Sequence, residues 1–181
     1  STRADSLGLV CKPWRSDGDF ILICGQHDKS LQWQDMPSMS NWFMQTYREI
    51  RKHTDRPIVF RPHPRCRLPH IELGLKHVYR QEPRHVTNTY DDFDMQFDNI
   101  WATISHSSNP GIHSIISGVP SFVSNSSLAY DVANDIDFLH DIENPMLPDR
   151  QQWLNDYAHT EYTIEEISQG LPLKNLTNKL I

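Results

Sequence analysis

Two short apolar runs, separated by one amphipathic stretch, restrict the folds open to this chain. Residues Asp19–Gln26 contain a continuous apolar run that ends in Gly25, and Ile58–Arg61 is a second run, ended by Pro62. Runs of this length are typical of strands buried on both faces of a parallel sheet. Residues 38–53 between them repeat apolar side chains at helical spacing, with serines placed to cap the helix. The pattern therefore predicts a βαβ unit.

The same alternation continues along the chain. Trp101–Ser105 reads as a strand, Pro110 as the first position of a helix that Gly118 closes, and Val119–Val123 as a further strand. We therefore predict an α/β fold, a Rossmann-like parallel sheet with helices on both faces. Other patterns predict strands at His77–Tyr79 and His85–Thr87, and helices from Asp91 or Asp92 through Ile100, within Leu128–Leu139, from Asp149 or Arg150 through Tyr157, and from Thr163 to Gly170.

Length and composition set the organisation. The 181 residues, of which 38% are hydrophobic, are enough for one domain with a core. We divide them into an N-terminal extension (1–18), a Rossmann-like nucleotide-binding core (19–147), and C-terminal helices with a tail (148–181). The net charge of -6 disfavours general binding to nucleic acid. Three widely spaced cysteines, no leader and no apolar run of about 20 residues predict a cytoplasmic protein without a membrane segment.

Three loops are expected to meet at one edge of the sheet. Ligands of open parallel sheets bind beyond the carboxyl ends of the strands, and Gly25–Asp35, Pro62–Arg67 and His106–Gly111 all leave that edge. In the first loop, Gly25 and Gln26 would let a ligand approach the backbone closely. A plain βα turn explains the same two residues.

The other two loops carry phosphate-binding chemistry. Arg61, His63 and Arg65 offer donors to phosphate oxygens from a loop stiffened by two prolines. The second loop offers backbone amides and hydroxyls at the start of a helix, from His106, Ser107, Ser108, Asn109 and Gly111. A solvated basic loop and an ordinary helix cap are the structural alternatives. The pairing of the two loops favours a shared anionic ligand.

Other kinds of site have little support. The ten histidines form no metal-binding motif, so we predict no metal. Walker, GxGxxG and GxSxG motifs do not occur, and Cys24 at the end of a buried run reads as a core residue.

Three short motifs resemble the C-terminal lobe of GT-B glycosyltransferases. The pair His63-Pro64 resembles the His-Pro motif of bacterial sialyltransferases and of capsule and teichoic-acid transferases, and Ser107-Ser108 resembles their Ser-Ser/Thr motif. Gly118-Val119-Pro120 is similar to the Gly-x-Pro after the donor-site helix. The chain also resembles a group of phage proteins, through Lys12–Arg15 and His53–Val59.

The resemblance implies a donor-binding domain for a nucleotide sugar. Arg61, His63 and Arg65 would neutralise the leaving phosphate, with His63 as the candidate catalytic residue and no metal required. It further implies a DNA or glycan acceptor, an N-terminal lobe that these residues do not contain, and, for a phage protein, the host cytoplasm. The Glu-x7-Glu pattern of many retaining members is missing.

Two alternatives to transfer remain open at this stage. One is a non-catalytic nucleotide- or protein-binding module, for example a phage anti-defence factor. The other is direct DNA binding through the arginines at 56, 61, 65 and 67, which the acidic composition disfavours.

Overall fold

The computed structural model describes Ala4 and residues 8–66, 68–82 and 96–160. These residues group into two compact units. One covers Lys12–Pro148, and the other combines residues up to Cys11 with residues from Asp149 onward. Among the described residues, no helix has both the length and the apolar character needed to cross a membrane.

The larger unit is built on a six-stranded sheet in which all neighbouring strands are parallel. Its strands are β1 (Phe20–Cys24), β2 (Ile58–Arg61), β3 (Val78–Arg80), β4 (Ile100–Ile104), β5 (Ser121–Val123) and β6 (Asn134–Asp135). They lie in the order β3-β2-β1-β4-β5-β6. This is the order of Rossmann folds, and it confirms the predicted fold class.

The register of the central strands divides the sheet into two faces. Ile23 of β1 lies beside Phe60 of β2 and Ile104 of β4, and all three are fully buried. Leu22, one residue earlier, points to the other face together with Thr103. Because successive side chains alternate between faces, each face needs its own cover.

Helices cover both faces. Helix α1 (Met39–Arg51) packs Phe43 against Phe60, with 4.3 Å between ring centroids. Its first turn is capped as the sequence predicts, because the Ser38 hydroxyl accepts a hydrogen bond from the Asn41 amide at 3.2 Å. Helix α2 (Pro110–Ile116) lies on the opposite face, where its Ser114 hydroxyl is 2.8 Å from that of Thr103.

Helix α3 (Gln151–Ala158) belongs to the smaller unit and begins where the sequence predicts. Short 3₁₀ helices complete the described structure, at Leu31–Trp33, Ile71–Gly74, Tyr130–Val132 and Ile136–Asp141.

Two predicted helices are wrong where the structure describes them. Leu128–Leu139 is not one helix but two 3₁₀ helices separated by β6. The Asn134 side chain bonds the backbone of Met146, and the Asp135 carboxylate accepts from the Asp137 amide, so polar side chains compete with helical bonding here. The helix predicted through Ile100 is wrong at its end, because Ile100 is the first residue of β4.

Three other predicted segments fall on residues outside the described ranges, wholly or in part. They are the strand at His85–Thr87, the start of the helix at Asp91 or Asp92, and the helix from Thr163.

The turn between α2 and β5 requires glycine. Gly118 has φ +83°, and a Cβ built on it would lie 2.1 Å from the carbonyl oxygen of Pro13. The segment before β1 packs against this turn, since the Lys12 amide donates to Ile116 and the Arg15 amide to Gly118. Both the backbone conformation and the close approach exclude a side chain.

Gly118→Ala is therefore expected to lower the free energy of unfolding by at least about 2 kcal/mol, from strain and displacement of the Pro13 segment. Urea unfolding measures this. Gly74→Ala is the matched control, because no atom lies within 4 Å of its Cβ position. We expect that control to change stability by less than about 0.5 kcal/mol. Equal losses in the two variants would contradict the explanation.

Candidate functional site

The strand order places a crevice beside β1. The chain leaves β1 toward β2 on one side and β4 lies on the other, so the loops after β1 and β4 separate at this point. A cavity of about 320 Å³ lies here. It is lined by residues of all three predicted loops, namely Cys24, Gly25, Gln26, His27, Ser30, Gln32, Arg61, Pro62, His63, Pro64, Ser107, Ser108, Asn109 and Pro110. Its volume falls within the usual range of small-molecule sites.

Gly25 brings the loops after β1 and β2 into contact. Its amide donates to the Arg61 carbonyl at 2.8 Å, and a Cβ on it would lie 3.2 Å from the Cα of Pro62. Any larger residue would press the β2 loop away from the cavity. Gly25 therefore shapes the wall, which is a structural reason for the glycine that ligand contact does not require.

Gln26 joins the loops after β1 and β4. Its side chain is 5% exposed, and its Oε1 accepts from both the amide and the hydroxyl of Ser107, at 3.2 and 3.1 Å. Its Nε2 donates to the Ser30 hydroxyl at 3.3 Å. The Ser107 amide, expected to serve a ligand, is thus already occupied by Gln26. Ser107 can still offer its oxygen as an acceptor.

Ser108 and Asn109 supply the remaining donors of the β4 loop. The Ser108 Oγ is buried without a hydrogen-bond partner among the described residues. The backbone amides of Ser108 and Asn109 likewise bond no other described residue. Buried polar atoms without partners are rare in folded proteins. The loop therefore presents donors that a ligand would satisfy. The following α2 has only seven residues, and Asn109 does not cap it with its side chain.

Arg61 and His63 bring basic groups to the cavity from the β2 loop. Arg61 is the last residue of β2, and its charge also acts on the neighbouring Cys24. Burial raises the pKa of the Cys24 thiol to about 12, and Arg61 offsets only part of that rise. A thiol of this pKa stays neutral in ordinary buffers, so Cys24 is part of the wall and not a nucleophile.

Three predicted site residues do not line the cavity. The Arg65 amide donates to His63 Nδ1 at 3.0 Å, so this residue orients the histidine through its backbone. Gly111 is buried beneath the start of α2, where a Cβ would lie 3.1 Å from Val123 and 3.2 Å from the Ser105 hydroxyl. Its role in the structure is close packing of helix on sheet.

His106 is the third of these residues. Its ring lies edge-on to Trp33, with 5.1 Å between centroids, and it lines a separate depression between α1 and the ends of β5 and β6. Burial lowers the pKa of His106, and a hydrogen bond with the Gln32 backbone counteracts part of this. The ring is therefore neutral near pH 7 and contributes no cation to an anionic ligand.

Sequence reasoning missed His27, Ser30 and Gln32 as lining residues. They lie in the polar loop after β1, which carries no motif. The signal available was positional, since every loop that leaves the carboxyl edge next to β1 is a candidate wall. His27 is the most informative of the three because its ring lies 5.5 Å from that of His63.

The arginines of the DNA-binding alternative do not form a common surface in the described residues. Arg56 lies before β2, at the amino end of the sheet, where it bonds Glu143 at 2.9 Å and stacks 3.9 Å from the ring centroid of Trp101. Arg61 lines the cavity at the opposite end. Within the described ranges, no group of three or more His, Cys, Asp or Glu side chains is arranged to hold a metal ion.

Compared with family models, curated proteins and solved structures, the chain matches none. The geometry of the cavity therefore carries the functional argument.

Gln26→Leu is expected to lower the free energy of unfolding by about 1–3 kcal/mol, because the buried Ser107 amide and hydroxyl lose their acceptor. Denaturant unfolding gives the value. Gln34→Leu, an exposed position in the same loop, is the matched control and should stay within about 0.5 kcal/mol of the parent. A Gln26→Leu protein as stable as the control would show that the bridge between the two loops is unimportant.

The Cys24 thiol is expected to resist modification in the folded protein. In a Cys11→Ser/Cys66→Ser protein, Cys24 is the sole thiol, since the chain has three cysteines. At pH 8, a disulfide reagent should react with it only after denaturant is added, because the buried thiol is neutral. The comparison protein, Cys24→Ser/Cys66→Ser, leaves the partly exposed Cys11 and should react without denaturant. Equal rates would contradict the assigned burial.

Proposed function

We propose that this domain binds a phosphate-containing nucleotide in the cavity between the ends of β1 and β4. The observation that carries the proposal is the charge of the lining. The chain contains 23 acidic residues and has a net charge of -6, yet none of the described residues that line the cavity is acidic. The fixed charge in the lining is the guanidinium of Arg61. A locally basic site in an acidic chain favours an anionic ligand.

The donors around the cavity suit phosphate oxygens. Arg61 can bind two oxygens at once, and the Ser108 hydroxyl and amide add neutral donors from the other side. The position at the point where the strand order reverses is where nucleotides bind in folds of this kind. Location and chemistry thus support the same ligand class.

The finer form of the proposal is a glycosyltransferase donor domain. The resemblance of His63-Pro64 and Ser107-Ser108 to GT-B motifs supports a nucleotide sugar as ligand, with DNA or a glycan as acceptor on a second lobe. In that role Arg61 and His63 would stabilise charge on the phosphate as the sugar leaves, and electrostatic stabilisation of this kind is a major source of catalytic rate.

One observation favours binding without transfer as the second candidate. The lining contains no carboxylate among the described residues, and the Cys24 thiol is neutral. His27 and His63 each use Nδ1 to accept a backbone amide. None of these groups is placed to take a proton from an acceptor hydroxyl. A nucleotide-sensing or partner-blocking module needs no such group.

Calorimetric titration with UDP-, CMP- and GDP-linked sugars tests the proposal. We expect at least one of them to bind, and Arg61→Gln and His63→Ala each to weaken that binding by about tenfold or more, since each removes a hydrogen bond to a charged oxygen. Thermal melting of each variant separates lost binding from lost folding.

Arg48→Gln is the control for charge, because Arg48 lies exposed on α1 away from the cavity. His140→Ala is the control for histidine, because His140 lies exposed in the 3₁₀ helix Ile136–Asp141. Both should bind as the parent does. Absence of binding by every nucleotide sugar and by the corresponding free nucleotides would refute the proposal. Binding without any release of nucleotide in the presence of a second lobe and acceptor would favour the non-catalytic candidate.

A further inference from the structure

Two histidines from different loops form a pair at the cavity wall. His27 follows β1 and His63 follows β2, and their ring centroids are 5.5 Å apart with 53° between the planes. Both rings line the cavity. Each accepts a hydrogen bond at Nδ1 from the backbone amide two residues later, Lys29 for His27 at 3.1 Å and Arg65 for His63 at 3.0 Å.

These two amide bonds determine the tautomer of the neutral rings. A nitrogen that accepts a hydrogen bond carries the lone pair, so the ring proton resides on Nε2 in both histidines. The nearest acidic group to His27 Nδ1 is the Asp28 carboxylate at 3.8 Å, which is beyond hydrogen-bond range. The pair therefore holds two Nε2–H donors on one side of the cavity.

The Ser108 hydroxyl and the amides of Ser108 and Asn109 form a second donor set, at the end of β4. Strands β2 and β4 flank β1, so their ends are separated by roughly 10 Å, two strand spacings. An oxygen accepts only from donors within about 3 Å. Donors spread over this distance are satisfied together by two linked phosphate groups more readily than by one.

We propose that the cavity takes a diphosphate, with His27 and His63 donating to one phosphate through Nε2 and the Ser108 loop binding the other. This deepens the proposed function and rests on it. It assigns a ligand-binding role to His27, and it selects nucleoside diphosphates and their sugars over monophosphate-linked donors.

Inorganic pyrophosphate and orthophosphate test the inference without a nucleobase. Binding is followed by NMR of the backbone amides and of the histidine ring nitrogens. We expect pyrophosphate to bind at least about tenfold more tightly than orthophosphate, and to shift His27 Nε2 and the Ser108 amide in the same titration. Equal affinities for the two anions, or shifts confined to one loop, would overturn the diphosphate assignment.

Two substitutions at one position separate donation from packing. His27→Gln places an amide N–H near the position of Nε2, whereas His27→Ala removes the donor. We expect His27→Ala to weaken pyrophosphate binding by about tenfold and His27→Gln to restore most of it. If both variants bind pyrophosphate as the parent does, His27 is not a ligand. If both lose binding equally while remaining folded, the ring pair serves only to pack the loops, and the donor role is refuted.

The two proposals fail in different ways. Loss of nucleotide binding altogether removes the proposed function. Nucleotide binding that is indifferent to His27, or equal for UDP and UMP, leaves the proposed function in place and removes this inference. Melting temperatures of the two variants, compared with that of His140→Ala, show whether each protein is folded at the temperature of the titration.

Discussion

The side chain of Gln26 is the contact on which the cavity depends. In a sheet ordered β3-β2-β1-β4-β5-β6, the chain winds away from β1 in both directions, and the loops after β1 and β4 have no strand connection to hold them together. Gln26 supplies that connection by accepting two hydrogen bonds from Ser107 and donating one to Ser30. Gly25 does the equivalent for the loop after β2, through close backbone contact with Pro62. The cavity is thus fixed by two adjacent residues of one turn.

This arrangement divides the residues around the cavity into those that shape it and those that face it. Gln26 and Gly25 use their polar groups on the protein itself, and Ser107 spends its amide on Gln26. Ser108 is left with a buried hydroxyl that no described residue satisfies. A buried donor without a partner costs free energy in the empty protein, and a ligand that accepts from it recovers that cost. The most direct signal of a ligand in this domain is therefore the unsatisfied Ser108, and the Ser107 beside it is a support.

The sequence predicts the parts of the fold that depend on local pattern. The strands β1 and β2 and helix α1 follow from apolar periodicity and from Ser38 as a cap, and the three loops meet because parallel strands share a carboxyl edge. Prediction failed where side chains bond over a distance. Asn134 holds the backbone of Met146 and thereby replaces a helix with β6. The occupation of the Ser107 amide depends on a residue 81 positions away, and the pairing of His27 with His63 depends on two loops whose contact no local pattern encodes.

The chemistry at the cavity wall favours binding a phosphate over moving a proton. Donors are abundant there, from Arg61, two imidazole Nε2–H groups and Ser108, whereas proton acceptors of suitable pKa are absent from the described lining. Stabilising a leaving diphosphate requires donors alone. Activating an acceptor hydroxyl requires a base within hydrogen-bond reach. If this domain takes part in glycosyl transfer, its own residues act on the departing phosphate, and the group that accepts the proton must come from the acceptor side of the reaction. The same wall, without that partner, is a complete binding site for a nucleoside diphosphate.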